Sequence, residues 1–267
     1  MIKKIKIFIS NLLAIFHKEL LGYFAAPFAY VIAGVFWLIA GVFFGIILEN
    51  IIQNATFIDQ GGIESAGMDV ASQFLSSYLG VIISLILVLL PALSMGLYAE
   101  ERKRGTLELL ATSPITNWVV ALGKLLGVLT FFTVMMVPLW IYQAIVFSAA
   151  NPVLPISIIL LANLAVILVA AAILSLGMFI SSLTESSIVA YILSFILILG
   201  LWIVDVIAQR VSGFMGDVLS YLSLFNHFNI LTSGVLETKS IILFISYIFL
   251  GVFLTAQSIE ALRFQRS

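Results

Sequence analysis

Residues 75–117 read LSSYLGVIISLILVLLPALSMGLYAEERKRGTLELLATSPITN. From Leu75 to Tyr98 the stretch carries no charged residue and no strand-like alternation of polar and apolar positions. A helix needs about 20 such residues to cross the hydrocarbon of a bilayer, and a run apolar on all faces reads as a helix and not as a barrel strand. Charge then arrives at once, as Glu100, Glu101, Arg102, Lys103 and Arg104. The stretch is therefore a membrane span followed by a polar loop, 99–117, before the next apolar run begins at Trp118.

Five further runs resemble the first. The predicted spans are 28–48, 75–98, 118–148, 156–180, 188–207 and 240–257. Composition agrees: 63% of the 267 residues are hydrophobic and 9% charged, against about 45–50% and about 25% in a soluble domain. Mean hydropathy is +1.23. A soluble globular enzyme and a disordered chain are excluded. With 12 Lys and Arg against 13 Asp and Glu, there is no basic surplus for nucleic acid. Without cysteine, disulfides and thiolate metal sites are excluded too. Trp37, Trp118, Trp140 and Trp202 lie in the spans, some near enough to the ends to act as interface anchors.

Lys and Arg set the orientation. Lys3, Lys4, Lys6 and Lys18 precede the first span; Arg102, Lys103 and Arg104 follow the second; Arg263 and Arg266 follow the last. With six spans these fall on one side. The opposite loops carry only Arg210 and Lys239, and the first of them holds Glu49, Asp59, Glu64 and Asp69. Both termini are expected in the cytoplasm. The N-terminal stretch lacks the small-residue cleavage site of a signal peptide. Its Ile5, Ile9, Leu12, Leu13, Phe16 and Leu20 recur at helical spacing, while Lys6, Asn11, Lys18 and Glu19 take other faces. Residues 1–25 thus predict an amphipathic helix on the cytoplasmic leaflet, its lysines toward anionic lipid.

Within the loop, Glu100 and Glu101 have helical spacing to Lys103 and Arg104. Gly105 can end or bend that helix. Leu107, Leu109 and Leu110 give a short apolar face, and Ser113-Pro114 fits a cap followed by proline at the first helical position. Topology alone needs only a few positive charges here. A short helix with both signs of charge and a leucine face suits docking on a soluble partner.

The run from Glu100 to Gly127, EERKRGTLELLATSPITNWVVALGKLLG, resembles the membrane subunits of type-2 ABC exporters. The matching positions are Glu100, Glu101, Arg102, Arg104, Gly105, Thr106, Leu107, Glu108, Ser113, Pro114, Gly123 and Lys124. Lys18 to Phe44 resembles the entry to that family's first span, and Phe225 to Leu250 with the tail AQSIEALRF its sixth. The nearest group is that of gliding-motility and nitrous-oxide-reductase-maturation permeases, from which Ser233-Gly234 departs where a basic residue often precedes the glycine. The resemblance implies that 99–117 is a coupling helix seated on a separate ATP-binding subunit. It also implies a second, smaller contact at SSLTESS (181–187), with Glu185 as its one charge. It further implies two ATP-binding subunits carrying ATP and Mg, and a second permease copy or relative completing the path in a bacterial inner membrane.

The chain itself has no nucleotide site. In its one Gly-Lys pair, Gly123-Lys124, Trp118 stands where a P-loop has its first glycine and Leu125 where it has Ser or Thr. The chain is read as a non-catalytic subunit without cofactor or metal. Lys124 is expected to snorkel to the cytoplasmic interface, with a substrate-headgroup role as the alternative. Asp205, near the outer end of the fifth span, is expected at the rim, sharing solvation or a pair with Arg210; a polar path is its alternative. Phe214, Met215, Val218, Leu219, Leu222 and Phe225 recur at helical spacing, and the resemblance makes this region short helices dipping into the outer leaflet. His17 and His227 lack the neighbours a metal site needs. Pro91 and Pro138 are expected to kink their spans.

The expected fold is thus an all-α membrane protein. It has six transmembrane helices, an N-terminal amphipathic interfacial helix and a cytoplasmic coupling helix. Two rivals stand beside the exporter reading. A secondary transporter would show internal repeats and broken polar helices at mid-membrane, and a proton relay would need more ionisable groups there. A membrane anchor or assembly subunit would have no cargo path of its own.

Overall fold

The computed structural model describes residues 2–60, 70–106, 115–150 and 154–264. Every regular element among them is helical: α1 (Ile2–Ala25), α2 (Pro27–Gln60), α3 (Val70–Ser94), α4 (Gly96–Lys103), α5 (Asn117–Ser148), α6 (Ile156–Leu183), α7 (Ser187–Ala208), α8 (Phe214–Leu222), α9 (Leu224–Thr232) and α10 (Thr238–Phe264). Among the described residues seven stretches are long and apolar enough to cross a membrane: α1, α2, α3 joined with α4, α5, α6, α7 and α10. The chain is an integral, multi-pass membrane protein. The helices overrun the apolar runs: α2 continues to Gln60, and the second span continues through Met95 into the charged residues as far as Lys103.

Contacts in register give the sense of each helix. Ile15 lies against Gly123 and Glu19 against Gly127, and Tyr23 stacks on Phe131 with centroids 5.2 Å apart. So α1 runs with the start of α5. Trp37 Nε1 donates to the Met135 carbonyl at 2.8 Å, and Phe44 meets Tyr142. So α2 also runs with α5. The join between α1 and α2 is a bend and not a reversal, because the residue before Pro27 is disfavoured in helix while Pro27 itself suits a first helical position. α3, α6 and α10 share the opposite sense: Ser94 lies against Gly177, and Ser181 bonds Tyr98 N. Gly234 lies against Ile158, and Gly251 against Ser175. α7 returns after the 184–186 turn.

α6 is the central staff. Its Ala162, Ala165, Ala170, Ala172, Ser175 and Gly177 let neighbouring backbones approach closely. A Cβ on Gly251 would stand 2.5 Å from Ser175. At the end of the bundle remote from the charges, α8 and α9 tuck beside α10, where the Tyr247 hydroxyl, two turns into that helix, donates to the Leu222 carbonyl.

Candidate functional site

The charged end of the bundle is built around α4. Its helix ends in a Schellman motif. Gly105 takes φ +69°, its N–H bonds the Arg102 carbonyl, and the Thr106 N–H reaches back to the Glu101 carbonyl at 3.0 Å. Only a residue free to adopt the left-handed region does this without strain. Thr106 Oγ1 bonds the same carbonyl. The Gly-Thr pair is therefore a helix stop that presents Glu100, Lys103 and Arg104 at an exposed tip.

Two clamps hold α4. On one side Lys124, 2% exposed on α5, saturates its three ammonium donors. They reach Glu19 at 2.8 Å, the Leu97 carbonyl at 2.8 Å and Glu101 at 3.0 Å. Its Nζ also lies 5.0 Å from the centre of the Tyr98 ring, a cation–π distance. Lys18 joins Glu101 at 3.2 Å. On the other side the end of α6 grips α4. Ser181 Oγ donates to the Met95 carbonyl and accepts from Tyr98 N and Ala99 N. Arg102 donates to the Ser182 carbonyl at 2.9 Å and pairs with Glu185 at 3.5 Å.

These contacts correct two expectations. Lys124 does not snorkel: α1 and α4 bring carboxylates to it, and a buried ammonium is stable only when so paired. Glu101 turns inward to Lys124 and Lys18, while Glu100 keeps the expected pairing with Arg104, at 3.5 Å. Leu107, Glu108 and the rest of the loop to Pro114 lie outside the described residues.

The outer tip and the α6–α7 turn form one surface. Glu100, Lys103 and Arg104 line a groove of about 780 Å³ with Thr184, Glu185, Ser186, Ser187 and Ile188. Glu100, Arg104 and Glu185 are well exposed there, with side chains 55%, 74% and 69% open. A face of alternating charge on a braced helix can receive the mixed side chains of another protein and pass a push to three helices.

Asp205 stands apart from this face. It is buried at the other end, where its carboxylate accepts from Ser223 Oγ at 2.5 Å and Gln209 Nε2 at 3.0 Å. The expected rim partner Arg210 is exposed, and among the described residues no ion pair joins the two. Burial favours the rigid hydroxyl and amide, which tie α7 to the α8–α9 corner. His227, also buried, meets Ser240 Oγ through Nδ1 and the Tyr221 carbonyl through Nε2. Among the described residues no group of three or more His, Asp or Glu is placed to hold a metal.

Sequence reasoning gave Glu19 and Ser181 other roles and did not single out Tyr23. One signal was available: Gly123 and Gly127 make a Gly-x-x-x-Gly surface, which seats another helix at close range. The lysine inside that motif demands an acid on the helix that lands there, and Glu19 is the acid on the preceding amphipathic segment.

The fold and site define a polytopic helical membrane component whose charged end is braced for contact. The family model of the ABC-2 family transporter protein matches residues 3–267. The chain belongs to that family, as a multi-pass permease component of an ABC transporter. No curated protein matches it.

Proposed function

We propose that this chain is the membrane-spanning subunit of an ATP-driven exporter, whose charged end docks on separate ATP-binding subunits that carry ATP and Mg. The observation that carries the reading is the shared surface. Two segments about 80 residues apart in sequence, both expected to meet an ATPase, line one groove and are tied by Arg102 and Glu185. Glu100, Arg102, Arg104 and Glu185, with Leu107 and Glu108 beyond them, form the contact. Gly105 and Thr106 shape it, and Glu101 braces it from within. Two ATP-binding subunits and a second copy or relative of this chain complete the transporter, and a bacterial inner membrane is its setting. Within the family, the gliding-motility and nitrous-oxide-reductase-maturation group remains the nearest resemblance.

Six spans with both termini in the cytoplasm fit this arrangement. Because α1 and α2 both run with α5, they make one crossing between them, and α10 returns its end to the side where α1 begins. In this reading the interfacial part is the first turns of α1, ahead of the stretch from Ile15 that runs along α5. Ile5, Ile7, Phe8 and Ile9 are exposed beside lysine positions, a composition for a lipid surface. Lys124 and Asp205 hold helices together and do not touch cargo.

The test is reversal of the exposed charges alone. The triple variant E100K/R104E/E185K is expected to insert normally and to lose stimulation of the partner's ATPase by tenfold or more. Undiminished stimulation would remove the docking face.

A further inference from the structure

The second span is interrupted at Met95, between α3 and α4. Pro91 has no N–H, so regular helical bonding already fails one turn earlier. Met95 itself keeps helical dihedrals, φ −57° and ψ −36°, and its N–H makes the ordinary i→i−4 bond to the Pro91 carbonyl, so the ladder lapses just after this residue. Three carbonyls around the break receive side chains from three different neighbours. The Tyr23 hydroxyl of α1 donates to Leu93 O, Ser181 of α6 to Met95 O at 2.7 Å, and Lys124 of α5 to Leu97 O. Ser181 does more than accept one role. Its single Oγ also receives Tyr98 N and Ala99 N, both at 3.1 Å, and Ser181 is fully buried. A hydroxyl has one donor and two lone pairs, and all three are spent on this break. Backbone groups freed inside a membrane helix are costly unless a neighbour satisfies them. In a regular helix Tyr98 N and Ala99 N would point to the Ser94 and Met95 carbonyls; here both reach the Ser181 hydroxyl.

From this geometry we infer that the second span is hinged at Met95 and that Ser181 is the pin, a positioning residue that makes α4, which Lys124 also holds, move with α6 while α3 bends. The pin explains how a push on the α4 tip reaches the bundle: α3 is free to bend at Met95, whereas α6 is obliged to follow. Its bearing on transport rests on the docking reading above; its existence does not, and the test needs no ATPase.

The chain has no cysteine, so paired labels are clean. Spin labels at Lys103 on α4 and Glu260 on α10, both exposed, report the position of α4 in reconstituted full-length protein. A second pair at Ser148 and Leu236, both exposed at the far end, reports general loosening. S181A is expected to broaden the first distance distribution and leave the second unchanged. It should also speed amide exchange at Tyr98 and Ala99 by roughly tenfold, the size of a lost buried hydrogen bond. S181T, which keeps the hydroxyl, and S182A, whose lost hydroxyl bonds only the Phe179 carbonyl of its own helix, are expected to match the wild type. Y23F removes only the hydroxyl on Leu93 O and is the mild variant should S181A fail to fold; it is expected to broaden the same distribution to a lesser degree. If neither S181A nor Y23F moves the Lys103–Glu260 distribution, or if S181A broadens both pairs equally, there is no hinge at Met95.

Discussion

Lys124 concentrates the chemistry of the charged end in one side chain. Its ammonium is out of water and has three acceptors on two other helices. Removing one partner of a buried ion pair costs about 3–5 kcal/mol, because the remaining charge is left unpaired. Glu19 and Glu101 retain some solvent contact, so the lower end of that range applies. K124M is expected to lower stability by about 3 kcal/mol in a thermal unfolding assay. K124M/E19Q/E101Q should recover most of the loss, since neutral amides tolerate the site better than two unpaired carboxylates. A K124M protein as stable as wild type would show that the cluster holds nothing together. The sequence set Lys124 early in the third predicted span. It could not show the burial, because the partners lie 105 and 23 positions away and their own sequence context gave each another role: Glu19 a face of an amphipathic helix, Glu101 a local pair. Gly105 was legible for the opposite reason. A helix stop is written within a few residues, and a glycine two residues beyond the last helical residue, in its left-handed conformation, is all that a Schellman motif requires.

At the scale of elements, α1 depends on two glycines of α5. A Cβ on Gly127 would stand 2.8 Å from Glu19 Cβ and 3.4 Å from Leu20 N, so side chain and backbone both resist it. G127V is expected to push α1 off α5 at a cost of about 1–3 kcal/mol, the usual penalty of overpacking. Amide exchange over residues 12–24 should rise with it. G34V is the control, because nothing lies within 4 Å of where its Cβ would be. Equal exchange in the two variants would contradict the packing of α1. The all-helical character was readable from composition, because lipid leaves an apolar run of this length little alternative to a helix. The pairing of the spans was not, since residues facing lipid and residues facing other helices are equally apolar. Small and hydroxylated residues such as Gly177, Ser181 and Gly251 mark the helix contacts, and they carry that meaning only when the facing residue is known.

The whole molecule divides its polar groups between two ends. One end is braced by charge and open at its tip. The other is closed by hydroxyl, amide and imidazole bonds through Asp205, Ser223, His227 and Ser240. Such a body transmits force well: α4 is tied to α1, α5 and α6 at the charged end, and α6 runs the length of the bundle against α3, α7, α9 and α10. The sequence holds no phosphate-binding loop. In the proposed reading a separate ATP-binding subunit supplies the energy, through the groove between the α4 tip and the α6–α7 turn. Purification of the tagged chain from its native membrane in mild detergent addresses this most directly, with identification of co-purifying subunits and an ATPase assay. The account predicts a stoichiometric P-loop protein with vanadate-sensitive turnover. A chain that purifies alone, under conditions that keep other membrane complexes intact, would contradict it.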